Sequence, residues 1–149
     1  MTLVLDVVAT ILIGSMIGTE FAVSAFINPI LVKLDERAEA AATSLFAAKL
    51  GKAMPFWYAI NLALLAAEAV MRRHESGSIL LLVSCAVWTA VVLLTVLFLV
   101  PINNRIARMN SDSYSESARR EHRLWDNLHR LRVAALAVSM ICFLIGIHI

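Results

Sequence analysis

Apolar residues fall into four long runs, 3–34, 54–71, 79–100 and 131–149, separated by polar stretches. The first run alone, at roughly 1.5 Å rise per residue, makes a helix longer than a ~30 Å hydrocarbon layer is thick. The pattern predicts an all-α integral membrane protein: an up-down four-helix bundle with two longer cytoplasmic connections, forming one four-span domain over residues 1–149. The first run lacks the basic start of a cleavable signal and is much longer than its apolar segment, so it is expected to be a span.

The polar residues that interrupt the runs carry the information. Glu20 lies mid-run, where a carboxylate costs on the order of several kcal/mol unless paired, neutralised or hydrated. Gly14, Gly18, Ala22 and Ala25 make a stripe of small residues about 160° around the helix from Glu20, where another helix can approach closely. A contact within the bundle is the favoured use of that stripe. Asn28-Pro29 marks the far end of the run, with the proline expected to free a carbonyl one turn earlier. The stretch 33–52 is alanine-rich and mixed in charge; it reads either as a helix extending or folding along the membrane surface until Gly51 breaks it or, as favoured, as a solvated connector. In the second run Pro55 suits a first helical turn and Trp57-Tyr58 an interfacial belt. Asn61 and Glu68 are its internal polar residues, and Arg72 stands four positions after Glu68, as in a local helix pair. The third run ends in Pro101-Ile-Asn103-Asn104-Arg105. A serine- and asparagine-rich loop is expected over 110–117, and helical composition returns at 118–130.

Composition agrees with this pattern. The chain is 60% hydrophobic and 16% charged, with a mean hydropathy of +0.80, whereas a soluble domain carries about a quarter charged residues. A net charge of +2, spread over loops and helix ends, is no nucleic-acid footprint. Cys85 and Cys142 sit in apolar runs without a Cys-x-x-Cys pair, as buried small hydrophobes do. The first and third connections with their flanks hold 11 of the 13 Lys and Arg residues. The positive-inside rule puts both connections in the cytoplasm and both termini outside, in a bacterial-type inner membrane.

With that topology, Asn28, Asn61, Asn103, Asn104, His129 and Arg132 fall in the cytoplasmic half and Glu20 somewhat deeper. Polar groups from all four spans then converge on one cavity open toward the cytoplasm. His122, Trp125, Asp126, His129 and Arg132, spaced by three and four, share one helical face. There Trp125 would wall an aromatic pocket, His129 would serve as general base and Arg132 as oxyanion stabiliser. The same spacing leaves open a metal site, with Glu20 as a deeper oxygen ligand.

The segments Gly18-Thr-Glu-Phe-Ala-Val-Ser-Ala-Phe-Ile-Asn-Pro29, Val100-Pro-Ile-Asn-Asn-Arg-Ile106 and Trp125-Asp-Asn-Leu-His-Arg-Leu-Arg132 resemble a membrane family, with many bacterial members, that includes the fungal anthrone oxygenases. The resemblance spans nearly the whole chain. It implies oxidation of an activated aromatic ring carbon by molecular oxygen, without a flavin or haem motif and with no cofactor expected. Such chemistry needs a base, an anion stabiliser and an apolar slot. His129, then Arg132 with Asn103 and Asn104, and then Trp125 with Trp57 fill those roles by position, with Asn28 and Asn61 as further substrate contacts. Glu20 is an acid that this generic scheme does not demand. The expected partners are the lipid bilayer and a hydrophobic small molecule, with no nucleic acid. Two other readings stand beside the enzyme. One is a binding or assembly module that self-associates through Gly14, Gly18 and Ala22; the other is a metal- or haem-binding protein using Glu20 and His129.

Overall fold

Backbone in hydrocarbon must satisfy its hydrogen bonds internally, and a helix does so within one segment. In the computed structural model, which describes residues 2–106 and 116–149, the four runs accordingly form helices at Leu3–Leu31, Glu36–Met71, Ser78–Arg105 and Arg120–Gly146, each long and apolar enough to cross a membrane. No strand occurs among the described residues. Most of the loop expected over 110–117 lies outside the described residues, and residues 116 and 117 already belong to the last helix.

Beyond residue 35 the stretch 33–52 is helix and not the favoured solvated connector. The first connection is only residues 32–35, and the second helix starts at Glu36. The Asp35 carboxylate accepts from the Ala38 N–H at 3.0 Å, while Glu36 and Glu39 in the first turn suit the positive end of the helix dipole. The helix then passes through both Gly51 and Pro55. A break there would strand more backbone polar groups than the single bond Pro55 removes, so continuing costs less. Gly51 provides clearance instead of a stop. A Cβ at Gly51 would lie 2.7 Å from Asn103 Nδ2, and that amide donates to the Ala47 carbonyl at 2.9 Å.

The first and third spans each contain one π-helical turn, Val23–Ile27 and Thr95–Leu99. Each ends two residues before a proline, Pro29 or Pro101. A proline ring collides with the carbonyl four residues back in regular helix, and a wider turn relieves that collision. The two turns lie beside the polar interior described below.

Ile13, Met16, Leu65, Trp88, Leu136 and Phe143 fill the bundle axis. Polar groups fasten the third span to the fourth: Ser84 Oγ donates to the Ser139 carbonyl at 2.9 Å, and Ser139 Oγ donates to the Ser84 carbonyl at 3.1 Å. The small-residue stripe, in contrast, looks outward. Gly18 would meet nothing within 4 Å, Gly14 only touches the Met140 methyl, and Ala25 is exposed. Only one side of the first helix can face the bundle, and Glu20 takes it, because desolvating a carboxylate against lipid costs more than leaving glycine there.

At the end away from Lys33, Arg72 binds Asp6 at 2.8 Å, Glu75 at 2.8 Å and Glu68 at 3.3 Å. The expected Glu68–Arg72 pair is present, with Asp6 of the first span added. The hydrogen bond to Asp6 pushes Arg72 above the usual arginine range. Beside this cluster, a Cβ on Gly77 would collide with the Gly146 carbonyl oxygen. Gly77→Ala is expected to cost about 1–3 kcal/mol through overpacking. The check is the midpoint of detergent-induced unfolding, and an unchanged midpoint would show that the turn yields without cost.

Candidate functional site

Each span contributes to a polar interior at the depth of the two π-helical turns. Glu20 from the first span is 2% exposed, and His129 and Arg132 from the fourth are 1% and 6% exposed. Such burial is tolerable only when charges are paired and hydrogen-bonded, and here they are. Arg132 Nη2 donates to Glu20 Oε2 at 2.7 Å. The Tyr58 hydroxyl, from the second span, donates to Glu20 Oε1 at 2.8 Å. Trp88 of the third span donates its indole N–H to the Tyr58 carbonyl at 3.2 Å, which fixes the helix turn carrying the tyrosine. The Arg132 guanidinium carbon stands 5.6 Å from the Tyr58 ring centre, within cation–π range.

His129 has both ring nitrogens engaged. A guanidinium has no acceptor, so Arg132 Nη2 donates to Nδ1 at 2.7 Å. The proton of neutral His129 is therefore on Nε2, which donates to the Glu20 carbonyl at 3.1 Å. Trp125 stacks on the imidazole with ring centres 4.7 Å apart and planes 10° apart. His129 thus holds the first span against the fourth, with its basic lone pair covered by Arg132. Glu20, by contrast, accepts one bond on each oxygen and keeps further lone pairs available.

Glu20, Thr95, Asn103, Trp125, His129 and Arg132 line a cavity of about 60 Å³. Thr95 Oγ1 donates to the Val91 carbonyl at 2.8 Å and receives a long bond of 3.4 Å from Arg132 Nη1. Arg132 Nε is buried without a hydrogen-bond partner. Trp125 and Asn103 also line an adjoining space of about 40 Å³ that contains Asn28 and His122.

The expected site residues sort clearly. Glu20, Asn103, Trp125, His129 and Arg132 meet at the central cavity, while Asn28 stands at the adjoining one, its amide donating to Asp126 Oδ1 at 2.8 Å. Three expected residues stand away from the central cavity. Trp57 is half-buried against the apolar core and lies outside the central cavity's walls. Asn61 points deeper and donates to the Met16 sulfur at 3.0 Å. Asn104 is exposed, because the helical turn that aims Asn103 inward carries its neighbour about 100° around. Tyr58 and Thr95 were not expected. Tyr58 had a signal, since 58, 61, 65 and 68 share one face by helical spacing. Thr95 had none, because its position depends on the π-helical turn.

Among the described residues no three His, Cys, Asp or Glu side chains are grouped to hold a metal ion. The donor set does not fit one either. Arg132 Nη2 stands 2.7 Å from both Glu20 Oε2 and His129 Nδ1, in the place a shared cation would need. Asp126 is held by Arg130 at 2.9 Å and His122 faces Glu39 at 3.7 Å. Neither nitrogen of His129 is free for a haem iron.

The family model described as anthrone oxygenase matches residues 44–142. The match covers most of the second span, the third span and most of the fourth, including Tyr58, Asn103, Trp125, His129 and Arg132, and leaves Glu20 outside. The chain belongs to the anthrone oxygenase family, which supports an oxygenase-related function in a multi-pass membrane protein. No curated protein and no solved structure matches it.

Proposed function

We propose that the protein is a membrane oxidoreductase that oxidises an acidic ring-flanked CH₂ group of a hydrophobic aromatic molecule with dioxygen. The observation that carries this reading is the buried Glu20–Arg132 pair, 2.7 Å apart, in the wall of a cavity that also presents the Trp125 ring. A carbon between two aromatic rings, as in an anthrone, loses a proton to a carboxylate and becomes an electron-rich carbanion. Glu20 takes that proton. The carbanion passes an electron to dioxygen, the resulting pair joins through a new C–O bond, and Arg132 stabilises the peroxide anion formed beside it. Glu20 returns the proton to the peroxide. Loss of the second C–H proton and cleavage of the O–O bond then release water and leave a ketone. The balance is CH₂ + O₂ → C=O + H₂O, with no external reductant.

Tyr58 and His129 act as positioning residues, since Tyr58 holds Glu20 Oε1 and His129 holds Arg132. The cytoplasmic placement of the Lys33 and Arg105 ends, both termini outside, and residence in an inner membrane belong to the same reading.

The test uses the full chain in phospholipid vesicles with an anthrone and ¹⁸O₂. The expected result is one ¹⁸O atom in the new carbonyl, one dioxygen consumed per quinone formed, and a rate well above the spontaneous oxidation in protein-free vesicles. A rate equal to that of empty vesicles overturns the reading.

A further inference from the structure

The central cavity of about 60 Å³ has room for a reacting group but not for a ring system, whose sites run to ~300 Å³ and more. A second pocket, of about 180 Å³, adjoins it on one side. Its walls are Pro55, Tyr58 and Ala59 of the second span and Thr95, Val96 and Val100 of the third. Pro55, Thr95 and Val100 line both spaces. Ala59 and Val96 are exposed on the bundle's outer surface, the side that faces lipid in a spanning bundle. The seam between the second and third spans therefore leads from the bilayer to the Glu20–Arg132 pair. Tyr58 and Thr95, which hold Glu20 and Arg132, stand at its inner end.

The seam is open for local reasons. Pro55 removes a backbone donor from the second helix just where the π-helical turn Thr95–Leu99 widens the third. Ala59 leaves space one turn further on. Two larger openings lie toward the Lys33 end, one of about 410 Å³ lined by Lys33, Arg123, Asp126 and Arg130 and one of about 330 Å³ lined by Glu39, His122 and Arg123 among others. Burying an apolar ring there would desolvate charged groups without compensation.

We infer that the substrate enters sideways from the bilayer between the second and third spans, its flat apolar body resting against Ala59 and Val96 while its acidic carbon reaches Glu20. The proposal rests on the assignment of Glu20 and Arg132 as the reacting pair and adds the route by which the substrate arrives: a lipid-soluble ring compound entering with its acidic CH₂ carbon foremost. Thr95 and Tyr58 meet the part of the molecule that crosses from one space into the other.

The experiment fills the outer pocket without touching the reacting pair. Ala59→Phe and Val96→Phe are compared with Val138→Phe, a lipid-facing position on the fourth span (52% exposed). Each full-length protein is reconstituted in phosphatidylcholine vesicles. Anthraquinone binding is read by quenching of tryptophan fluorescence, and anthrone oxidation is measured in parallel. The expected result is at least tenfold weaker quinone binding and at least tenfold higher KM for Ala59→Phe and Val96→Phe. Their spontaneous-rate-corrected kcat should change less, and Val138→Phe should match the wild type. Wild-type binding by both seam variants overturns lateral entry while leaving the Glu20–Arg132 reading intact. Absence of both quinone binding and turnover in the wild-type protein overturns the two together.

Discussion

Replacing Arg132 with methionine should lower stability by about 3–5 kcal/mol, because it leaves the Glu20 carboxylate buried with no countercharge. Tyr58 would still donate to Oε1, but one neutral hydrogen bond does not offset a desolvated charge. His129 would lose the donor to Nδ1, and Thr95 its contact with Nη1. The double variant Glu20→Gln with Arg132→Met removes both charges and should recover most of that stability, as replaced buried pairs commonly do. Turnover should separate from folding in this series. Arg132→Met and the double variant should both fall by about 10²–10³-fold, the usual effect of deleting a donor to a developing anion. Unfolding midpoints in detergent, with anthrone oxidation measured on the folded fraction, check both parts. If Arg132→Met proves as stable as the wild type, Glu20 does not hold a buried charge that depends on Arg132. If the double variant regains turnover along with stability, the pair is structural only.

Periodicity and hydropathy carried the architecture, and their failures have local causes. The four spans were legible because about 20 apolar residues in a row admit few alternatives. The 33–52 stretch misled because Gly51 is a breaker in water and Pro55 suits the start of a helix. In a bundle, the cost of unpaired backbone and the clearance needed by Asn103 favour an unbroken helix instead. Of the site, Glu20, His129 and Arg132 were legible as charged or polar residues that an apolar run has no reason to hold. Their mutual geometry was not. Nothing in Trp125-Asp-Asn-Leu-His-Arg-Leu-Arg132 says that the guanidinium covers the histidine lone pair, and that contact is the reason the proposed base is Glu20 instead of His129. Asn103 and Asn104 were indistinguishable in sequence, and one helical step separates a cavity residue from an exposed one. Trp57 and Tyr58 differ in the same way, by which of two neighbours points along the Asn61–Leu65–Glu68 face.

Glu20→Gln is the substitution expected to cost most in rate while best preserving the hydrogen-bond geometry around it. Glutamine has the same shape, and its carbonyl oxygen can still accept from Arg132 Nη2 at the position of Oε2, 2.7 Å away. The amide nitrogen would then face the Tyr58 hydroxyl, which can rotate its proton and accept instead. What disappears is the capacity to take a proton from carbon. A positioned general base contributes about 10²–10⁴-fold, so turnover measured on the folded fraction should fall by that amount, while the unfolding midpoint also drops because Arg132 is left buried without its countercharge. A rate loss confined to KM would instead mark Glu20 as a binding contact. The companion variant is His129→Gln, which can hold Arg132 through its carbonyl oxygen but cannot act as an imidazole base. Under the assignment to Glu20 it retains most of its kcat. Were His129→Gln to lose the larger share while Glu20→Gln kept the wild-type rate, the proton would go to the imidazole. Arg132 would then have to leave Nδ1 during turnover, exchanging its 2.7 Å contact there for the substrate anion.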